Sequence, residues 1–136
     1  MPRISQLFFK TAILFLILGI GIGISMAMTR NHNVMGAHAH INLLGWVTSA
    51  IFGGYYALNP AKAQGRLPLV HYGIYTVGVL VMTGALYLLL RGNTALEPVV
   101  AGGSLVTFAG VLVFAWIVFA PARASAGAMP TAMPAE

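Results

Sequence analysis

The sequence predicts an all-α membrane protein, a bundle of four transmembrane helices. Of its 136 residues, 59% are hydrophobic and only 7% are charged, whereas soluble domains carry about a quarter charged residues. Four apolar segments reach the length of about 20 residues that a helix needs to cross the hydrocarbon core. Cysteine is absent from the chain, which excludes disulfides, thiolate metal sites and haem attached through cysteine.

The first two predicted spans lie on either side of a short polar loop. The first covers about residues 7–28, an apolar run too long for a signal peptide. It contains a glycine series that favours close helix packing in a membrane, namely Gly19, Gly21 and Gly23. The second span covers about residues 37–58 and ends at Asn59-Pro60, a pair that stops helices.

The third and fourth predicted spans are bounded by prolines and glycine. The third covers about residues 68–90, with Pro68 at its start and Gly92 just past its end. The fourth covers about residues 97–120 and completes a single transmembrane domain. The remaining segment, 121–136, is rich in Ala, Pro and Met and is predicted to be a disordered cytoplasmic tail.

The positions of the basic residues orient the predicted domain, residues 1–120. Five basic residues lie on the side of the membrane where both termini are placed: Arg3, Lys10, Lys62, Arg66 and Arg123. Two lie on the opposite side, Arg30 and Arg91. The excess predicts cytoplasmic termini in the inner membrane of a bacterium, with lipid as the surrounding partner. Because the seven cations are scattered singly, nucleic acid is not an expected partner.

Three of the four histidines lie within nine residues at the outer end of the second span. His38 and His40 are two residues apart, so on a regular helix they point to nearly opposite faces. They cannot chelate one small ion, but each can serve a separate site beside the helix, and neutral imidazole is a good axial ligand for haem iron. His71 begins the third span on the other side and is predicted to be a separate, interfacial histidine.

The stretch over residues 36–46, Gly-Ala-His-Ala-His-Ile-Asn-Leu-Leu-Gly-Trp, resembles the His-x-His helix of the catalytic subunit of haem–copper oxidases. It is especially similar to the members that resemble nitric oxide reductase. The resemblance implies that His38 and His40 bind two haems on opposite faces of one helix. It also implies a pseudo-threefold core, because the family's metal-binding helices are each second in a unit of four spans. The family's adjacent His-His pair is missing here, so a haem–copper centre that reduces oxygen is in doubt.

A helix with opposed histidines needs a partner on each side, and a closed oligomer supplies both. We therefore expect a homotrimer, or failing that a dimer, with haem b between His38 of one subunit and His40 of the next. Such bis-histidine iron favours one-electron transfer, with a quinol or a cytochrome as redox partner. Three other residues are candidates for the haem site: Arg30 and Asn42 for the propionates, or Asn42 for a histidine ring, and Trp46 for the pocket wall.

Several alternatives stay open at this point. If one histidine binds each iron, the protein is a gas-binding haem protein, an oxidoreductase or a sensor for nitric oxide or oxygen. Thioether and imidazole groups suit copper(I), so a copper-binding or transport protein could use the outer cluster of Met26, Met28, His32 and Met35. A cofactor-free subunit of a respiratory complex is a further reading. The inner tyrosines are expected to form an interfacial aromatic belt: Tyr55, Tyr56, Tyr72 and Tyr75.

Overall fold

The computed structural model describes residues 1–121, and this part of the chain contains helices and no strands. The all-α class predicted from the sequence is therefore confirmed. Of the predicted tail, only Pro121 is among the described residues. The elements in chain order are α1 (Arg3–Thr29), α2 (Met35–His40), a π-helical segment (Ile41–Thr48), α3 (Ser49–Leu58), α4 (Leu67–Leu90), a 3-10 turn (Thr94–Leu96) and α5 (Glu97–Phe119).

We call the run formed by α2, the π-helical segment and α3 the composite helix. The long helices end where local backbone chemistry stops them. Arg30, just past α1, has a left-handed φ of 53°, and Gly92, shortly after α4, has a φ of 106° that glycine adopts readily. Proline stands in the first turn of both α4 and α5, where its missing N–H is not needed.

Three helices are long and apolar enough to cross a membrane: Arg3–Thr29, Leu67–Leu90 and Thr94–Phe119. The 24 residues of α4 extend about 36 Å, more than the hydrocarbon core of about 30 Å. Large apolar side chains cover the outer surface, and Leu105 and Phe119 of α5 are 70% and 86% exposed. These features indicate a membrane protein.

Helices α4 and α5 form the most extensively packed pair in the structure, and they run antiparallel. Glycines let their backbones meet. A Cβ atom built on Gly78 would lie 2.5 Å from the Thr107 nitrogen, and one built on Gly103 would lie 2.6 Å from the Met82 nitrogen. Small residues thus serve in this pair the packing role they have in membrane helices generally.

Helix α1 packs antiparallel against the composite helix. Gly19 faces Asn42, and Gly45 faces the Phe15 ring, with each glycine leaving the space that the opposite side chain fills. Gly23 receives the ring of His38 in the same way. Gly21, by contrast, has no atom of the described chain within 4 Å of an added Cβ. The predicted packing role is therefore met within the described chain by Gly19 and Gly23, and Gly21 has no such contact there.

Helix α3 is joined to α4 and α5 by side chains and not by close backbone approach. Within residues 1–121, α3 has no close backbone contact with α4 or α5. The space is filled by rings that we call the aromatic cluster: Phe8, Phe52, Tyr56, His71, Tyr75 and Phe114. The centroids of the Phe52 and Phe114 rings are 4.3 Å apart. Contacts of this kind add to the stability that burial of the rings provides.

Candidate functional site

The histidine pair lies in α2, immediately before the helix widens into its π-helical segment. In this segment two backbone carbonyl oxygens accept hydrogen bonds from side-chain hydroxyl groups. Thr48 donates to the Leu43 carbonyl at 2.8 Å, and Tyr75 of α4 donates to the Leu44 carbonyl at 3.0 Å. Such π-helical turns are rare and are often found at functional sites. Here the segment follows the histidine pair directly and is joined to α4 by the hydrogen bond from Tyr75.

His40 lies on an exposed face of the composite helix. Its Nδ1 donates a hydrogen bond of 2.7 Å to the carbonyl of Gly36, one turn earlier in the same helix. A carbonyl oxygen only accepts hydrogen bonds, so this bond keeps the proton on Nδ1 and leaves the lone pair on Nε2. The ring is therefore oriented by its own helix and has the tautomer that binds a metal through Nε2.

His38 has the same chemistry in a different setting, because it packs against α1. Its Nδ1 lies 2.9 Å from the carbonyl oxygen of Gly19, and its Cε1 would lie 3.1 Å from a Cβ built on Gly23. The ring is half-buried. The Gly19 carbonyl again places the proton on Nδ1 and the lone pair on Nε2. The two imidazoles thus occupy different sides of the helix, as their spacing predicts.

The other residues predicted for the haem site have varied surroundings. Asn42 donates from Nδ2 to the backbone carbonyl of His38 at 2.8 Å, with Nδ1 of that ring 3.3 Å away. Its amide therefore lies beside the histidine and bonds to the backbone of that residue. Because Nδ1 carries the proton, it accepts no hydrogen bond from the amide. Trp46 is half-buried and packs against the core, and Arg30 is exposed just past α1.

The methionines and histidine predicted for copper do not gather around one space. A cavity of about 470 Å³ at this end of the bundle is lined by Met26, together with Arg91 and Tyr87, but Met28, His32 and Met35 are not among its lining residues in the described chain. Met26 is buried, whereas Met28 and Met35 are exposed. This dispersal gives the copper reading no support from geometry.

His71 does not lie at an interface, and that prediction is wrong. Its side chain is completely buried in the aromatic cluster, where its ring centroid lies 4.8 Å from that of Phe52. Nδ1 shares a hydrogen bond of 3.0 Å with the Tyr56 hydroxyl, and Nε2 has no partner among the described residues. The sequence signal that could have revealed this is the presence of aromatic residues at the same depth in every other helix.

The tyrosines predicted for an interfacial belt also divide into two groups. Tyr56 and Tyr75 are fully buried in the aromatic cluster, so the belt prediction is wrong for them. Tyr72 is half-buried, and its hydroxyl shares a hydrogen bond of 2.7 Å with that of Thr11. Tyr55 is half-buried at the edge of the cluster, against Phe114. Buried hydroxyl groups need such partners, which the neighbouring helices provide.

Within residues 1–121, no group of three His, Cys, Asp or Glu side chains is arranged to hold a metal ion. The described part of the chain therefore offers separate imidazoles and not a multidentate metal cage. No protein-family model matches the chain, and no curated protein or solved structure is significantly similar to it.

Proposed function

We propose that this chain is a four-span membrane protein that binds b-type haem through its histidine pair and carries electrons. The composite helix would be the fourth span, with the termini on the cytoplasmic side of a bacterial inner membrane. The observation that supports the haem site is that the two rings have the same tautomer. In both His38 and His40, Nδ1 donates to a backbone carbonyl, so Nε2 carries the lone pair that can bind iron.

The two histidines fit haem to different degrees. His40 fits well, since its ring is exposed and is held in place by its own helix. His38 fits less closely, because part of its ring is covered by α1 at Gly23. Since the two rings are on different sides of the helix, one chain alone would not place both on one iron. A second copy would supply the missing ligand, which is why we propose sites between subunits.

In this proposal His40 of one subunit and His38 of the next would hold the haem iron, and a homotrimer would repeat the site three times. Bound haem would supply one-electron transfer between partners such as a quinol and a cytochrome. The chain's own contribution is to fix the tautomer of each ligand, to orient each ring and to surround the site with apolar residues. Asn42 would be a positioning residue for His38.

The decisive experiment is a haem count on the purified full-length chain, expressed with haem available. We expect a sharp α band on reduction and about one haem per chain, which the pyridine haemochrome measures. H40A should remove the low-spin haem, and H32A is the matched control because His32 is an exposed imidazole in the adjacent loop. Full haem content in H40A would contradict the proposal. A colourless wild-type protein would leave the copper and cofactor-free readings.

Complementation tests whether the site lies between subunits. H38A and H40A are each expected to lack low-spin haem. The two variants are then expressed together, so that mixed oligomers form. In these, an H40A chain still supplies His38 and an H38A neighbour still supplies His40. A site that takes one ligand from each subunit is therefore complete between two such chains. Random mixing in a ring restores about a quarter of the sites. A site within one chain would show no recovery.

The unequal exposure of the two rings favours one second candidate, a gas-binding haem protein. If His38 stays against α1, iron held by His40 alone keeps an open position. Carbon monoxide added to the reduced protein distinguishes the two functions. A shifted spectrum in the wild type would indicate nitric oxide or oxygen chemistry or sensing, and an unchanged spectrum would indicate electron transfer.

A further inference from the structure

A second cavity lies at the end of the bundle opposite to the histidine pair. It measures about 490 Å³ and is formed by the loop over residues 59–66, the start of α4 and the end of α5. Its lining includes polar side chains, Lys62, Gln64 and Arg66, and apolar side chains, Leu67, Trp116 and Ile117. The haem proposal makes no use of this cavity.

Among residues 1–121, the cavity has basic side chains in its lining and no acidic one beside them. Within residues 1–121 the one acidic side chain is Glu97, which begins α5, while the cavity lies at the other end of that helix. The Arg66 guanidinium, which has five N–H donors, makes no hydrogen bond to another described residue. The side-chain amide of Gln64 adds further donor capacity beside it.

Lys62 has a separate structural role that keeps the cavity in shape. Its Nζ donates to the carbonyl oxygens of Ile117 at 2.7 Å and of Val118 at 3.4 Å, and to that of Ala120. These are carbonyls at the C-terminal end of α5, where a cation is stabilised by the helix dipole. The loop is thereby fastened to α5, and the ammonium charge is held at the wall of the cavity.

We propose that this cavity binds the phosphate group of an anionic phospholipid. Arginine binds phosphate through paired hydrogen bonds, and basic pockets between membrane helices are suited to anionic headgroups. The apolar wall favours a lipid over a free ion, because acyl chains can follow the exposed surface beside Trp116. Tryptophan at this level is also typical of the boundary between lipid and water. The inference needs α4 and α5 in a membrane but does not depend on haem.

The test is a lipid titration of the detergent-purified full-length chain, followed by native mass spectrometry. Phosphatidylglycerol is compared with phosphatidylcholine, and R66Q is compared with R3Q, which removes an exposed arginine at the same end but outside the cavity. We expect the wild type to retain phosphatidylglycerol preferentially. R66Q should reduce that affinity about fivefold, the effect of one basic residue at an anionic surface, and R3Q less than about twofold.

Three results would overturn the proposal. One is equal retention of the two lipids by the wild type, and another is the same loss in R3Q as in R66Q, which would indicate general surface attraction. The third comes from titrating inorganic phosphate onto the same protein: binding that depends on Arg66, without preference for phosphatidylglycerol, would assign the cavity to a free anion. Lys62 is left unchanged throughout, because its replacement would release the loop from α5.

Discussion

Replacing Gly103 by alanine should separate α4 from α5, since the added Cβ would lie 2.6 Å from the Met82 nitrogen and 2.8 Å from its Cα. Ordinary contact begins near 3.4 Å, so the two backbones would have to move apart by about 0.8 Å. Neither atom belongs to a side chain that could rotate away. Overpacking of this kind reduces the free energy of unfolding by about 1–3 kcal/mol.

Gly102→Ala is the matched control, because a Cβ there meets no atom of the described chain within 4 Å. Both substitutions gain the same helix propensity, up to about 1 kcal/mol, so the difference between the two variants isolates the contact. Unfolding by dodecyl sulfate in mixed micelles, followed by tryptophan fluorescence, measures the free energy of unfolding. If G103A unfolds at the same detergent fraction as G102A, the close packing of α4 and α5 is refuted.

Two smaller perturbations test the surroundings of the proposed site. G23A adds a Cβ 3.1 Å from Cε1 of His38 and should displace the ring from the position in which it binds iron. Haem transfer to an acceptor protein should therefore be several-fold faster. G21A places its Cβ in open space and should leave the rate unchanged, and equal rates in the two variants would contradict this. Y75F removes the 3.0 Å hydrogen bond from a buried tyrosine to the π-helical segment and should lower the free energy of unfolding by about 1 kcal/mol. Y87F, which loses an exposed bond, should cost less, and the reverse order would contradict the assigned role of the hydroxyl.

The helix ends could be predicted from the sequence because they depend on neighbouring residues. Asn59-Pro60 follows the last residue of α3, Pro68 lies in the first turn of α4, and Gly92 stands just past its end. The opposition of His38 and His40 is equally local, since it follows from the helical repeat alone. The Gly36 carbonyl could also be predicted as the partner of His40, because it lies one turn earlier in the same helix. The Gly19 carbonyl could not be predicted as the partner of His38, because it belongs to another helix.

The burial of His71 and Tyr56 could not be predicted from local sequence. A histidine four residues into an apolar segment has the same pattern at an interface and in a core. What buries His71 is a set of rings from three other helices, including Phe8 and Phe114. The π-helical segment is a second such case, because nothing in its apolar composition distinguishes it from an α-helix. In both, contacts with distant residues decide the outcome.

The contrast between His71 and His40 shows which property makes a histidine in this chain a candidate ligand. Each ring has one nitrogen engaged, Nδ1 with the Tyr56 hydroxyl in His71 and Nδ1 with the Gly36 carbonyl in His40. The surroundings of the other nitrogen differ: in His71 it is enclosed by aromatic rings, while in His40 the ring lies on an exposed face. An iron can approach Nε2 only where the surface is open. The proposed function therefore depends on what covers that face of α2, and a second copy of the chain is the partner that would also bring the opposing ligand.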